Sequence, residues 1–383
     1  MSFSRTLILW HLALPAAAAT LSVDPGDPAA YATLTAAVEA ASSGDSITVA
    51  PGTYEECIYP NGKSLSIEGR GPSSTHIDGT GVCDNTLSMW SGETVTLSEL
   101  SLQNTGGRAV YLYYSDLTLD EVHISDSGNE TWYGGAFYLD GGTTRIHESS
   151  ITDNSALVGG AIYIYADAEL QVVDSTVSRN QSLDVGGAIY IYYNTDVELD
   201  DSTFEANTSA SSGGAIYAYW EVDLTTTDTH FISNSAGWAG GAIEFDWYGD
   251  LRMTGGRVES NTAVTSGGAV YAYVPTDVVV EEVSWSDNIT GGEGGALALY
   301  WPTLVQISDS DFTQNQAAEG YAGGALHFYV AAGVDLQRNL FCGNRASYGG
   351  AISDQWTSTS DTLMNNRFVE NQAVIGGGIY RYA

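Results

Sequence analysis

The fold of this chain is decided by a segment that recurs along it, and residues 186–216 give a clear copy: GGAIYIYYNTDVELDDSTFEANTSASSGGAI. The segment opens and closes on the same Gly-Gly-Ala-Ile motif, one step of 27 residues apart. Similarity at a fixed step of this size is the signature of a repeat protein in which each unit packs only on its neighbours.

The glycine pair marks every repeat. Successive pairs are separated by 25 to 29 residues, and most continue as Gly-Gly-Ala-Ile or a close variant. The pairs begin at Gly106, Gly134, Gly159, Gly186, Gly213, Gly240, Gly267, Gly294, Gly323, Gly349 and Gly376.

A second motif, Phe-x-x-Asn, keeps the same step, as in Phe204-x-x-Asn207 and Phe231-x-x-Asn234. Asn tolerates left-handed backbone angles, and its amide can bond main-chain groups in turns. We therefore predict a structural role, a stacked internal ladder of one amide per coil. Its members are Asn154, Asn180, Asn207, Asn234, Asn261, Asn288, Asn315, Asn344 and Asn371.

Within a unit the apolar residues alternate with polar or aromatic ones, which is typical of strands with two different faces. After Gly213, Ile216 and Ala218 are predicted to point inward, with Tyr217 and Tyr219 outward. Three short strands and three turns in 27 residues describe one coil of a parallel β-helix. We predict an all-β, right-handed, single-stranded parallel β-helix of about 12 coils.

The N-terminal region divides in two. Arg5, the apolar run Thr6–Leu14 and Ala17-Ala18-Ala19 predict a secretory signal peptide over residues 1–19. Residues 20–105 are predicted to form a cap and the first coils, with a short amphipathic helix over 28–42 that Asp27 caps. Residues 106–383 then continue as one solenoid. Because of the predicted signal peptide, the protein is expected to be secreted or at the cell surface.

Composition restricts the partners. The chain has 47 Asp and Glu against 12 Lys and Arg, a formal charge of -35. Affinity for nucleic acid depends on cationic side chains, so no nucleic-acid partner is expected. No apolar run is long enough for an integral membrane segment.

Cys57 and Cys83 lie 26 residues apart, about one coil, and are predicted to form a disulfide, with Cys342 free.

The Gly213-Gly214-Ala215-Ile216 and Phe231-x-x-Asn234 motifs resemble the repeat of polymorphic outer membrane proteins, which carry GG[AGS]I and FxxN. The stretch from Gly44 to Tyr54 looks like the start of pectin-lyase-like β-helix proteins. The resemblance implies an adhesin or structural protein associated with the outer membrane. The chain stops at Ala383 inside a coil, so a partner, another copy or missing sequence is expected to cover that end.

An aromatic sheet face is the strongest feature outside the framework. Outward tyrosines recur in each coil, and exposed apolar surface of that size usually marks a contact. Cross-coil stacking without a ligand is the alternative explanation. The expected ligand is a glycan or a protein, and the predicted ligand-binding residues are Tyr190, Tyr192, Tyr217, Tyr219, Trp220, Trp247, Tyr271, Tyr273 and Tyr300.

A polysaccharide-active enzyme is the alternative function, since β-helices also carry glycosidases and lyases. A hydrolase needs two carboxyl groups, and Glu244 and Asp246 replace the outward tyrosines of one coil. A solvated acidic pair is the simpler interpretation. A lyase needs a basic residue near its substrate, but Lys63 lies near the N-terminal end and Arg252 stands alone on a second strand.

No metal motif, dinucleotide motif or nucleophile elbow occurs. We therefore expect no cofactor and no metal, with calcium between aspartates of neighbouring turns left open.

Overall fold

The computed structural model describes residues 18–90, 92–355 and 361–382, so most of the predicted signal peptide lies outside the described residues. The chain winds into a right-handed parallel β-solenoid of about 13 turns with one short helix, which confirms the predicted fold class. In the repeat region, each coil begins with a strand that follows the glycine pair. These first strands are Phe137–Asp140, Ile162–Ala166, Ile189–Asp200, Ile216–Thr227, Ile243–Trp247, Val270–Tyr273, Leu297–Tyr300, Leu326–Tyr329, Ile352–Gln355 and Ile379–Tyr382.

The second and third strands follow after turns. In two coils the first strand continues through the turn into the second, as in Ile216–Thr227. Separate second strands are Gly142–His147, Ala168–Val173, Leu251–Thr254, Asp277–Glu281, Leu304–Ser308, Val334–Gln337 and Thr362–Met364. The third strands are Ser150–Thr152, Thr176–Ser178, Thr203–Glu205, His230–Ile232, Arg257–Glu259, Ser284–Ser286, Asp311–Thr313, Leu340–Cys342 and Arg367–Val369.

A fourth short strand, which the sequence analysis did not predict, follows the ladder asparagine in seven coils. It arises because the turn after the Asn runs parallel to its neighbours long enough to pair with them. These strands are Ser155–Val158, Gln181–Ser182, Thr208–Ser209, Ser235–Ala236, Thr262–Ala263, Ile289–Thr290 and Gln316–Ala317.

The N-terminal coils are less regular. Their strands are Thr20–Val23, Ser46–Val49, Gly52–Tyr54, Leu65–Glu68, Thr75–Asp78, Asn85–Met89, Thr94–Thr105, Arg108–Tyr113 and Asp116–Tyr133. The single helix among the described residues is Leu34–Ala40, not long enough to cross a membrane.

The predicted start of this helix was wrong. Thr33, not Asp27, caps it, and its hydroxyl accepts a hydrogen bond from the Ala36 backbone N–H. The Asp27 carboxylate instead accepts from the Ala29 N–H in a separate turn. The helix buries Leu34, Ala37 and Val38 against the first coils.

Strand pairing keeps one register from coil to coil. Ile189 pairs with Ile216, which pairs in turn with Ile243, and all three are buried. Because equivalent residues meet, every apolar inward position joins one continuous core along the axis. The predicted inward residues Ile216 and Ala218 belong to that core.

The asparagines form the internal ladder at the corner after the third strand. From Asn154 to Asn344 they are fully or almost fully buried, and Asn371 is half-buried. From Asn180 onward, each side-chain oxygen accepts two hydrogen bonds from the previous asparagine, as between Asn180 and Asn207 at 3.0 Å each. The ladder therefore satisfies turn groups that the strand pairing leaves unpaired.

A second polar ladder, which the sequence analysis missed, runs along the corner between the second and third strands. The Ser149 backbone N–H donates to the Ser175 hydroxyl at 3.0 Å, and the Ser175 N–H donates to Ser202 at 3.1 Å. Five coils beyond Ser202, the equivalent Asn339 N–H donates to the Asn366 side-chain oxygen at 2.9 Å.

The glycine pair is required by two different constraints. Gly213 has a φ of +63°, which residues with a Cβ rarely adopt. A Cβ on Gly214 would lie 1.9 Å from the Gly241 carbonyl oxygen of the next coil. The first glycine thus permits the turn, and the second permits the close approach of the coils.

Cys57 and Cys83 are joined by a disulfide with their Cα atoms 6.2 Å apart. Cys342, the remaining cysteine, is free and half-buried on the third strand of its coil. The disulfide links neighbouring coils in the irregular N-terminal part.

Candidate functional site

Two columns of outward side chains run along the first strands, and the parallel register places one residue of each column in every coil. The first column is Tyr111, Tyr138, Tyr163, Tyr190, Tyr217, Glu244, Tyr271, Ala298, His327, Ser353 and Tyr380. The second column, two residues further along each strand, is Tyr113, Asp140, Tyr165, Tyr192, Tyr219, Asp246, Tyr273, Tyr300, Tyr329, Gln355 and Tyr382.

The tyrosine rings of both columns stack face to face. In the first column, Tyr163 and Tyr190 have ring centroids 5.1 Å apart at 14°. In the second, Tyr192 and Tyr219 lie 5.5 Å apart at 7°. One coil step fixes this separation, which lies in the range of favourable aromatic pairs.

The two columns differ in exposure, which corrects the expectation that all these rings face solvent. Tyr163 is only 7% exposed, whereas Tyr165 and Tyr192 are 43% and 39% exposed. The chain just before a glycine pair lies beside the first column: Tyr133, the last residue of the strand Asp116–Tyr133, stacks on Tyr163 at 5.0 Å. Tyr165 and Tyr192 of the second column therefore offer accessible rings, whereas Tyr219 and Tyr273 of that column are half-buried, as Tyr190 and Tyr217 of the first column are.

Glu244 interrupts the first column between Tyr217 and Tyr271. It is 5% exposed, and its Oε2 atom has no hydrogen-bond partner. Burial raises the pKa of Glu244 to about 8, although a hydrogen bond with the Ser212 side chain opposes the rise and Asp246 adds to it. Glu244 is therefore a neutral carboxylic acid at pH 7.

Asp246 interrupts the second column in the same coil. The Tyr217 hydroxyl donates a hydrogen bond to the Asp246 carboxylate. Burial raises the pKa of Asp246, and the bond from Tyr217 opposes that rise. The pair is therefore not fully solvated, because Glu244 is buried and Asp246 is half-buried.

The predicted tryptophans lie at the end of the first strands, next to the second column. The Trp220 and Trp247 rings are 6.2 Å apart, and Trp247 meets the Tyr273 ring edge-on at 4.9 Å. Tyr273 in turn meets Trp301 at 5.1 Å. These rings make an aromatic corner directly beyond Asp246.

Tyr300 departs from its column. The small side chain of Ala298 leaves space in the first column, and the Tyr300 ring lies 5.4 Å from Tyr271. Its hydroxyl donates to the Glu293 carboxylate at 3.4 Å. The nine predicted ligand-binding residues therefore lie on one face, where Tyr192 is exposed and the other eight are half-buried.

Two residues of this face carry information that the sequence analysis missed. His327, in the first column, is 2% exposed, and burial lowers its pKa to about 4. Arg108 stands between Gly107 and Ala109, where later repeats pass directly from Gly-Gly to Ala. That one-residue insertion was the available signal for Arg108.

A metal centre is not part of the described site. Among residues 18–90, 92–355 and 361–382, no three His, Cys, Asp or Glu side chains are grouped to hold a metal ion.

Comparison with known families gives one match. The model described as "Right handed beta helix region" matches residues 85–258, slightly less than half of the chain. No curated protein matches by sequence.

Among solved structures, the chain is similar to a mannuronic acid specific polysaccharide family 6 lyase from human gut microbiota. The TM-score is 0.50 at 12% identity, covering 84% of this chain and 86% of that chain. It is also similar to the catalytic domain of a GH87 α-1,3-glucanase, with a TM-score of 0.48, 10% identity, and coverage of 98% and 68%. A third similar structure is the A-module of a mannuronan C-5 epimerase from Azotobacter vinelandii. Its TM-score is 0.41 at 15% identity, covering 92% of this chain and 94% of that chain.

The family model and the likeness to the polysaccharide lyase support the right-handed, pectin-lyase-like β-helix and concern the fold alone. The adhesin prediction is not borne out by these comparisons.

Proposed function

We propose that this protein is a polysaccharide hydrolase that binds an extended glycan along the second column and cleaves it at Glu244 and Asp246. The observation that carries the proposal is the replacement of both stacked tyrosines by carboxyl groups in a single coil. Elsewhere from Tyr163 to Tyr273 the two columns are tyrosine without exception. The carboxyl pair therefore lies in the middle of an aromatic platform.

Glu244 is assigned the role of general acid. An acid that protonates a glycosidic oxygen must keep its proton near neutral pH, which a pKa of about 8 provides. The environment that raises this pKa is the aromatic column itself, because Tyr217 and Tyr271 replace water on both sides.

Asp246 is assigned the role of general base that activates water. Two residues on one strand face are about 7 Å apart, in the range of inverting glycosidases, where a water molecule fits between substrate and base. The Tyr217 hydroxyl fixes the orientation of the carboxylate. Because Glu244 Oε2 is shielded from solvent, catalysis requires the Glu244 side chain to turn outward when the glycan binds.

The substrate platform favours neutral or weakly charged glycans. Sugar rings present apolar C–H faces that can lie on tyrosine rings, and the exposed rings of Tyr165 and Tyr192 offer such a surface. A net charge of -35 disfavours polyanions.

The test is hydrolysis of a panel of neutral polysaccharides by the wild type and by E244Q and D246N. We expect E244Q to reduce kcat by roughly 100- to 10,000-fold, the usual contribution of general acid–base catalysis, with glycan binding retained. E198Q, a change at an exposed acid on a second strand, is the matched control and should keep full activity. Wild-type turnover that survives in E244Q would remove Glu244 from the mechanism.

Binding without hydrolysis, as in an adhesin or structural protein, is the second candidate, and the exposed column of stacked rings favours it. Its signature is glycan or protein binding that depends on the second-column tyrosines, with no turnover by the wild type.

Export to the cell surface or outside the cell remains part of the proposal. The Arg5 to Ala19 pattern and the Cys57–Cys83 disulfide support it, since disulfides persist in oxidising compartments. The kinship with the polymorphic outer membrane repeat is likewise proposed, on the recurrent Gly-Gly-Ala-Ile and Phe-x-x-Asn motifs.

A further inference from the structure

Arg108 differs from every other arginine in the described part of the chain, because it alone is not solvent-exposed. Most of the others pair with a carboxylate, for example Arg179 with Asp153 at 2.7 Å and Arg338 with Asp309. Within the described residues, Arg108 has no such partner. In a protein with 47 acidic residues, a half-buried cation without a counterion calls for an explanation.

Aromatic rings hold the Arg108 guanidinium. Its Cζ atom lies 4.5 Å from the centroid of the Trp132 ring and 5.2 Å from that of Tyr138. Its Nε–H donates to the Tyr133 carbonyl oxygen at 2.8 Å. These contacts fix the plane of the guanidinium and stabilise its charge through the ring faces.

The remaining edge of the guanidinium is open. Its Nη atoms make no hydrogen bond to any described residue, and they are not enclosed in the protein. Asp84, the acidic residue that acts on its charge, is itself exposed and is not in ion-pair contact. Two parallel N–H donors on a fixed plane match the two oxygens of a carboxylate.

We infer that Arg108 is a binding site for the carboxylate of an acidic sugar unit within the glycan that lies on the tyrosine columns. This inference rests on the proposed function and adds the substrate class: a largely neutral polysaccharide with acidic units at intervals. Tyr138 connects the site to the first column, whose register leads from Tyr138 through four coil steps to Glu244. At ~4.8 Å a step, Tyr138 and Glu244 are about 19 Å apart, which several sugar units would span.

The experiment measures binding of paired oligosaccharides that differ only in a terminal hexose or the corresponding uronic acid, across several linkage types. For the wild type, we expect the uronate member of a recognised pair to bind at least 10-fold more tightly. R108Q should abolish this preference and leave affinity for the neutral member unchanged. R108K should not restore it, because an ammonium group lacks the planar pair of donors.

Three controls make the outcome decisive. R345Q, at an exposed arginine away from the columns, should keep the preference. W132L retains the guanidinium but removes its ring support, and a reduced uronate preference is expected there even if R108Q folds poorly. Sulfated oligosaccharides separate carboxylate recognition from general anion binding, and equal preference for sulfate would overturn the assignment to carboxylate.

Failure of this inference can be told from failure of the proposed function. If the wild type binds both members of each pair equally, the Arg108 site is overturned, whereas hydrolysis of neutral glycans lost in E244Q still supports the enzyme. If uronate preference depends on Arg108 but no variant or wild type hydrolyses any glycan, the binding site stands and the hydrolase proposal falls.

Discussion

Asn234 accepts two hydrogen bonds from Asn207 of the preceding coil, one from its backbone N–H and one from its side-chain amide, both at 3.0 Å. Asn234 makes the same pair of bonds to Asn261 and also donates to the Phe204 carbonyl oxygen. A single buried side chain thus bonds two main-chain groups of the preceding coil, the Asn207 N–H and the Phe204 carbonyl oxygen. The Asn234 N–H is satisfied in the same way by the asparagine of the next coil.

The first prediction concerns this ladder. N234A removes the four hydrogen bonds that the side chain makes and leaves the Asn207 N–H buried without a partner. We expect the free energy of unfolding to fall by about 1 to 3 kcal/mol, measured by chemical denaturation. Q306A, at an exposed position of a second strand, should change it by less than about 0.5 kcal/mol. Equal stability of N234A and wild type would show that the ladder carries no energy.

The second prediction concerns Glu244 and pH. Burial places its pKa at about 8 in the folded protein, above its ordinary value of 4.5. The neutral acid is therefore favoured by folding, and the wild type loses stability as pH rises from about 4.5 through 8. E244Q cannot ionise, so its stability relative to wild type should improve over that range by roughly 3 to 5 kcal/mol. Denaturation at pH 5 and pH 9 measures the difference, and E198Q should show no such trend.

The third prediction concerns His327, whose buried Nδ1 has no hydrogen-bond partner. Burial lowers its pKa to about 4 from an ordinary 6.5, so folding favours the neutral imidazole. The stabilisation that comes from neutral His327 is fully present above pH 6.5. It is lost as pH falls toward 4, which lowers the free energy of unfolding by about 3 kcal/mol. H327L should lose less stability than wild type between pH 7 and pH 4. A constant difference between the two proteins would contradict the assignment.

The fourth prediction concerns the disulfide. Cys57–Cys83 closes a loop of 26 residues, and its loss should lower the free energy of unfolding by about 3 kcal/mol. We expect C83S to melt earlier and C342S to melt close to wild type. Peptide mapping without reductant should find Cys57 and Cys83 in one cross-linked peptide, whereas two free thiols there would also argue against export.

The fifth prediction separates the two tyrosine columns. Changing Tyr165 and Tyr192 together to Ser removes two accessible rings, and glycan affinity should fall about 5- to 100-fold at 0.5 to 1.5 kcal/mol per ring. Y321S, at an exposed tyrosine on a turn outside the columns, is the control. Changing Tyr217 or Tyr271 instead would also disturb packing around Glu244. Unaltered affinity in the double variant would exclude the second column as the platform.

Most of the fold could be predicted because the repeat makes each residue's role visible many times. The inward positions of Ile216 and Ala218 follow from alternation, and the corner position of Asn234 follows from the constant distance to the glycine pair. The helix start failed at Asp27 because two N-capping residues precede the same apolar run. Only the packed helix shows that Thr33 is the one whose hydroxyl meets an N–H.

The site was predictable in position but not in chemistry. Alternation places Tyr163 and Tyr165 on the same side of a strand, and yet one is buried and the other exposed. The difference comes from a segment of another coil, and strand periodicity contains no information about it. For the same reason the sequence identified Glu244 and Asp246 as a pair but could not show that neighbouring rings would hold Glu244 as a neutral acid.

Because the register of the coils is uniform, the distance between two equivalent positions along the axis is a whole number of coil steps. A whole unit such as residues 159–185 can in principle be removed with every remaining ladder and column rejoined, because each coil contacts only its neighbours. Such a deletion would draw Arg108 toward Glu244 by one rise of ~4.8 Å and leave both local environments intact. The number of coils between Arg108 and Glu244 would then set the length of glycan that can occupy both sites at once.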